Sequence, residues 1–163
     1  MKEVRQNINY GERVVDARLV GCTKEYIDLN QLFVDRGRFI DERDGQSADN
    51  VAVLGEETAR TLFPFEDPIG KSVQVGREFY VVVGTMAFRN PSAGIGGSLS
   101  AQDFNLDVYI PLRTFQWRIG DTVVLARTGS RSSEKVELHQ ITVKVESIND
   151  VDSTASLIGQ MLK

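Results

Sequence analysis

The sequence predicts an α+β fold on three observations. Valine-rich alternating runs are interspersed with short helical ones, without the regular strand–helix alternation of a doubly wound sheet. Hydrophobic residues make up 41% of the chain and charged residues 26%, enough to pack a core and too apolar for a disordered chain. At 163 residues the chain suits one domain, or two small subdomains packed together.

The elements follow in order. Residues 1–13 hold no apolar segment of a secretory signal and are assigned no element. "VVDARLVGCT" (14–23) alternates as a strand does. "TKEYIDLNQLF" (23–33) sets Tyr26, Ile27, Asn30 and Phe33 at helical spacing behind Thr23 as an N-cap. "RGRFIDERDGQSADN" (36–50) reads as an acidic, turn-rich connection. "VAVLG" (51–55) is a short buried strand ended by glycine. "EETARTLF" (56–63) is a helix with acids in its first turn, where the helix dipole favours them. "KSVQV" and "EFYVVVGTM" are strands joined across Gly76-Arg77 as a hairpin.

Residues 88–107 carry no period. Four of the seven residues at 91–97 are glycine or proline, the mark of a mobile loop. "VYIP" (108–111) is a strand, "LRTFQWRIG" (112–120) a short helix, and "DTVVLART" (121–128) a further strand. "GSRSSEK" (129–135) is a polar turn. "VELHQITVKVES" (136–147) alternates as a strand. "DSTASLIGQMLK" (152–163) is a helix capped by Asp152 or Ser153, and its end without a glycine stop reads as a cut boundary.

Charge and composition exclude several functions. The net charge is −4 and no dense Lys/Arg cluster occurs, which argues against nucleic acid as a partner. The single cysteine, Cys22, forms no internal disulfide and reads as a small buried residue on a strand. It leaves the redox compartment open. The longest apolar stretch, "FYVVVGTMAF" (79–88), is too short to span a bilayer.

The motif most suggestive of chemistry is "DPIGKS" (67–72), which ends like a phosphate-binding loop. That loop needs a glycine five positions before Gly70, and Phe65 stands there. It also follows a strand and opens a helix, whereas here a helix precedes and a strand follows. Pro68-Ile69-Gly70 is therefore a turn, and Lys71 a solvent-facing charge. "DERDGQSADN" (41–50) fails as a calcium loop. With Gly45 at the sixth position, Ile40 falls at the first and Val51 at the twelfth. "GIGG" (94–97) puts Leu99 where a dinucleotide fingerprint needs its third glycine. His139, the single histidine, lies in an alternating strand pattern. No Gly-x-Ser-x-Gly elbow accompanies it, and with Cys22 it makes a poor zinc set. Catalytic residues, cofactor and metal are accordingly read as none.

The 88–107 loop mixes glycines with isolated apolar residues, Phe88, Ile95, Leu99 and Phe104. Exposed apolar side chains on a mobile loop mark a partner-docking surface. A plain connector is the alternative.

Three blocks, taken in order, resemble the MacB-like periplasmic core domain of FtsX-like ABC-transporter permeases. They are "VGCTKEYIDLNQLFVDRGRFIDERD" (20–44), "VAVLGEETARTLFPFEDPIGKSVQVGREFYVVVGTM" (51–86) and "DVYIPLRTF" (107–115). The resemblance spans roughly residues 14–127 and includes the Gly-Arg-Phe turn and the Asp-Pro-Ile-Gly-Lys element. It implies an inserted mixed α/β subdomain over about 14–127 and part of a porter-like α/β subdomain over about 128–163, with most of the first half of the latter missing at the N-terminus. It implies a non-catalytic extracytoplasmic domain of the bacterial inner membrane, anchored by flanking transmembrane helices that lie outside this chain. Its partners would be a second permease copy, a periplasmic adaptor and a cytoplasmic ATPase domain. The short "RIGDT" stretch (118–122) leaves no room for the hairpin of the lipoprotein-releasing relatives. A ligand-binding or enzymatic α+β domain is the competing reading.

Overall fold

The computed structural model describes residues 1–90, 103–120, 122–127, 130–135, 140–145 and 148–161. Nine strands are described: β1 (Lys2–Tyr10), β2 (Arg13–Cys22), β3 (Val34–Gly37), β4 (Val51–Leu54), β5 (Ser72–Val75), β6 (Glu78–Met86), β7 (Asp107–Pro111), β8 (Thr122–Arg127) and β9 (Ser130–Lys135). The helices are α1 (Tyr26–Leu29), α2 (Glu42–Ser47), α3 (Glu56–Leu62), α4 (Leu112–Arg118) and α5 (Val151–Met161). The α+β class holds, with short helices set among mixed parallel and antiparallel strands.

The first seven strands close on themselves. The sheet order is β3-β6-β4-β7-β2-β1-β5, and β5 also pairs with β6. The run β6-β4-β7-β2-β1-β5 thus returns to β6 as a six-stranded barrel. β6 is long enough to hold β5 along its first half, at Glu78–Val81, and β3 along its second, at Gly84–Met86. β4 occupies its other edge. Closure removes the edges that an open sheet would present.

Alternation along the strands makes two cores. Inward-facing Ile8, Ala17, Leu19, Ala52, Leu54, Val73, Tyr80, Val82, Val108 and Ile110 are all fully buried in the barrel. Leu62 of α3 and Phe115 of α4 join that cluster. Outward-facing Val20, Cys22, Val53 and Tyr109 form a second cluster with Tyr26, Ile40 and Met86. β7 is consequently buried on both faces, over all five of its residues.

Several expectations need correction. Residues 2–10 are a strand, paired with β2 along their whole length. The pattern is hard to read because Lys2 and Gln6 share the inward face with Val4 and Ile8. The expected 23–33 helix shrinks to α1, whose N-cap is Glu25 without a side-chain bond. Asn30 and Gln31, the latter at φ 52°, end it. The 36–50 connection contains the end of β3 and all of α2. α2 exists because Asp41 and Asp44 form a reciprocal capping box. Residues 130–135 are β9 and not part of a turn, since pairing with β8 supplies what their polar sequence lacks. Of the strand expected at 136–147, the described residues 140–145 are neither helix nor strand. The 152–163 helix is present as α5, starting at Val151. Ser153 does not cap it, but donates its hydroxyl to the Asp150 carbonyl at 3.0 Å.

Candidate functional site

Strand alternation puts Arg18 of β2 and Asp107 of β7 side by side on the outer barrel face. Asp107 is completely buried. Arg18 grips it bidentately, Nε to Oδ1 at 2.8 Å and Nη2 to Oδ2 at 2.6 Å. The Tyr109 hydroxyl donates to Oδ2 at 3.1 Å. Arg18 Nη1 also reaches Glu3 Oε2 of β1 at 3.0 Å. Burial opposes the Arg18 charge, but the Asp107 bond and the nearby carboxylates hold the guanidinium above the ordinary arginine range. Burial pushes the Cys22 thiol and the Tyr26 and Tyr109 phenols upward. Burial also pushes the Asp107 carboxyl up, against the lowering pull of Arg18 and the Tyr109 hydroxyl; the network is a charge pair whose oxygens are occupied by hydrogen-bond donors.

The network adjoins the base of the 88–107 loop. Arg89 and Asn105 bind each other reciprocally: the Arg89 amide donates to Asn105 Oδ1 at 2.9 Å and Asn105 Nδ2 to the Arg89 carbonyl at 2.7 Å. Asp103 Oδ1 accepts from the Asn105 amide at 3.0 Å. The Arg89 guanidinium donates to the Asn30 carbonyl beside α1. It lies 5.0 Å from the Phe104 ring centroid, and the Arg18 guanidinium lies 5.9 Å from the same centroid. Both are within cation–π range.

An open groove of about 1210 Å³ runs beside this base, between residues 25–33, 87–90 and 142–144. Its apolar rim includes Phe33 and Phe88, 73% and 61% exposed. The Ala87 amide donates to the Phe33 carbonyl at 2.9 Å, joining two walls.

Of the four expected partner-facing residues, the structure places Phe88 on the groove rim and Phe104, half-buried, against the second core cluster. Ile95 and Leu99 lie outside the described residues, as does His139. Arg18, Arg89 and Asn105 were not singled out in the sequence. Alternation along β2 was sufficient to put Arg18 on the outer face, but no local pattern pairs it with Asp107.

The "DPIGKS" segment is a turn entering β5, with Gly70 at φ +80°. Three of its amides are already engaged. Ile69 donates to Asp67 Oδ1 at 3.1 Å, Gly70 to the Val82 carbonyl at 2.8 Å and Lys71 to the Pro68 carbonyl at 3.1 Å. Lys71 pairs with Glu66 at 3.2 Å. The acidic 41–50 stretch is likewise structural, its Asp44 held bidentately by Arg38 at 2.6 and 3.0 Å. Among the described residues no group of three His, Cys, Asp or Glu side chains is placed to hold a metal ion. No helix among them is long and apolar enough to cross a membrane.

Comparison with known proteins accounts for this architecture. The chain is 31% identical over 158 residues to the macrolide export ATP-binding/permease protein MacB of Marinobacter nauticus, covering 96% of this chain and 21% of that protein. It is 21% identical to the ABC transporter permease YknZ of Bacillus subtilis, covering 94% of this chain and 33% of that one. The chain therefore spans a minor part of the length of these relatives. Two crystal structures share the fold. The periplasmic region of MacB from Actinobacillus actinomycetemcomitans matches with TM-score 0.67 at 22% identity, over 98% of this chain and 64% of that one. The extracellular domain of YknZ matches with TM-score 0.66 at 23% identity, over 93% and 66%. The family described as MacB-like periplasmic core domain matches residues 1–161, so the chain belongs to that family.

Proposed function

We propose that this chain is the extracytoplasmic, non-catalytic module of an ABC-transporter permease, carried as a body by transmembrane helices flanking it. The observation that carries the reading is the family match across residues 1–161. ATP hydrolysis then takes place on a separate cytoplasmic nucleotide-binding domain, and its energy reaches this module through the helices. The module couples that hydrolysis to export, or to the action of a partner outside the inner membrane. The partners in this reading are a second permease copy and a periplasmic adaptor. Phe88, Ile95, Leu99 and Phe104 of the 88–107 loop face one of them, and the exposure of Phe88 supports its part in this. Within the same reading, residues of about 14–127 form the inserted subdomain and those of about 128–163 belong to the porter-like one. The completion of the seven-stranded sheet by Pro111 supports a unit made of the earlier strands.

The test is made in the intact permease, with Cys22 replaced by serine and single cysteines at Phe88, Ser98, Ser100 and Gln102. Disulfide cross-linking between two copies should differ with and without ATP. Cross-linking indifferent to nucleotide at every position would reduce the domain to a passive spacer.

A further inference from the structure

We infer that the Phe104 ring is a coupler, through which Arg18 and Arg89 tie the start of the first strand to the α1 wall of the groove. Arg18 connects three parts of the barrel's outer face: Glu3 on β1 at 3.0 Å, Asp107 on β7 at 2.6 Å, and the Phe104 ring at 5.9 Å. Glu3 stands two residues from Met1, whose amino group donates to the Gln140 carbonyl at 2.6 Å. Arg89, at 5.0 Å from the same ring, reaches the Asn30 carbonyl that follows α1. It is also part of the groove lining, as are Leu29 and Leu32. A continuous path therefore runs from the N-terminal strand, through two guanidiniums on one aromatic ring, to the groove.

The energetics favour real coupling. Two like charges near one ring repel each other, and each is held in place by its own oxygen partners: Asp107 and Glu3 for Arg18, Asn30 for Arg89. The ring's negative face stabilises both. Arg18 helps to hold the Phe104 ring where Arg89 meets it, so losing that guanidinium frees the ring and loosens the hold on Arg89 more than the relieved repulsion tightens it. Strand pairing provides a second route, since Lys2 pairs with Gly21 near the end of β2 and α1 begins at Tyr26, so the loss of the effect in a ring-free background is what identifies the route through Phe104. This is a property of the folded chain, independent of any transporter, and it stands or fails without reference to the permease reading.

The experiment is site-resolved hydrogen exchange on the 163-residue chain. Arg18→Lys keeps the charge and a bond to Asp107 but loses the planar guanidinium over the ring. It should raise exchange at residues 26–33 roughly three- to thirtyfold, the range open to one cation–π contact. The β5–β6 hairpin, residues 72–82, should not change. In a Phe104→Leu background, Arg18→Lys should no longer affect residues 26–33. Arg89→Gln should conversely loosen residues 2–8 in the wild-type background and not in Phe104→Leu. If Phe104→Leu lowers stability too far, Phe104→Met serves as the ring-free background. Unchanged exchange at 26–33 in Arg18→Lys overturns the inference. So does an equal rise at 72–82, which signals general loosening, or an effect that survives loss of the ring.

Discussion

Gly84 has no space for a side chain. A Cβ there would lie 2.0 Å from the Arg38 carbonyl oxygen, and one on Gly37 would lie 2.2 Å from the Val83 carbonyl oxygen. Both obstacles are backbone, which cannot swing aside. Gly84→Ala should therefore cost roughly 3 kcal/mol or more, read as a lower urea midpoint at constant slope. Gly76→Ala is the control. Gly76 sits at φ +61° with nothing within 4 Å of the added methyl, so its cost is about 1 kcal/mol, from left-handed backbone alone. Asp44 makes the second prediction at this scale. Burial by itself would push its carboxyl up, but the bonds from Arg38 and the Asp41 amide overcome this and hold it below the usual range. A depressed carboxylate contributes stability that is complete above the unfolded value, about pH 4, and lost as pH falls through the folded value. Asp44→Asn should thus unfold more readily at pH 7, by about 1–3 kcal/mol. The lower part of that range is favoured because Arg38 is half exposed. Below about pH 3 the gap to wild type should narrow; a gap independent of pH would mean the charge is irrelevant and the capping geometry decides.

At the scale of elements, β1 and the 67–72 turn carry the lessons. β1 closes the barrel by pairing with β2 on one side and β5 on the other. Ile8, fully buried at the β5 contact, should cost about 2–5 kcal/mol as Ile8→Ala. Val14→Ala, at an outward site 55% exposed, should cost much less in the same denaturation series. Equal costs would mean that β1 lies on the barrel without completing it. The turn at 67–72 spends its Ile69, Gly70 and Lys71 amides on Asp67, Val82 and Pro68, so those three are not offered to an anion. Titration calorimetry with Mg-ATP should show no saturable heat; micromolar affinity would contradict that assignment. The turn was legible because Phe65 breaks a spacing rule and a valine-alternating strand follows. β4, α3, β5, β6 and β7 were legible for similar local reasons. β1, β3 and β9 were not. Lys2 and Gln6 dilute the inward pattern of β1, β3 is four mostly exposed residues, and β9 is polar throughout. Each is a strand because of a partner distant in sequence or across a turn, which a local period does not encode. The Arg18–Asp107 pair, 89 residues apart in sequence, was hidden for the same reason.

At the scale of the whole molecule, the question is what the isolated chain does with its surface. Barrel closure consumes the edges of six strands and leaves β3 outside. β3 carries exposed Asp35 and Arg36, charges that discourage edge-to-edge pairing. The exposed large apolar residues are spread over several elements: Phe65 after α3, Phe79 on β6, Trp117 on α4, and Phe33 and Phe88 at the groove. Among the described residues, α5 adds exposed Val151, Leu157 and Met161 to these. A net charge of −4 adds weak repulsion between copies. On the proposed function, a domain tethered in a membrane beside a second copy needs no tight self-association, because tethering would supply an effective concentration near the millimolar range. On that reading, such a contact should fall apart once freed from the tether. Sedimentation equilibrium at about 10 µM should accordingly return a single species of 18.2 kDa. The mass should be the same at low and high salt, since no dense charge patch drives association. A dimer with dissociation constant well below that concentration would show that the copies bind through a strong interface of their own. The tether would then be unnecessary for pairing, and the reading of this domain as a body moved against a loosely held twin would have to be abandoned.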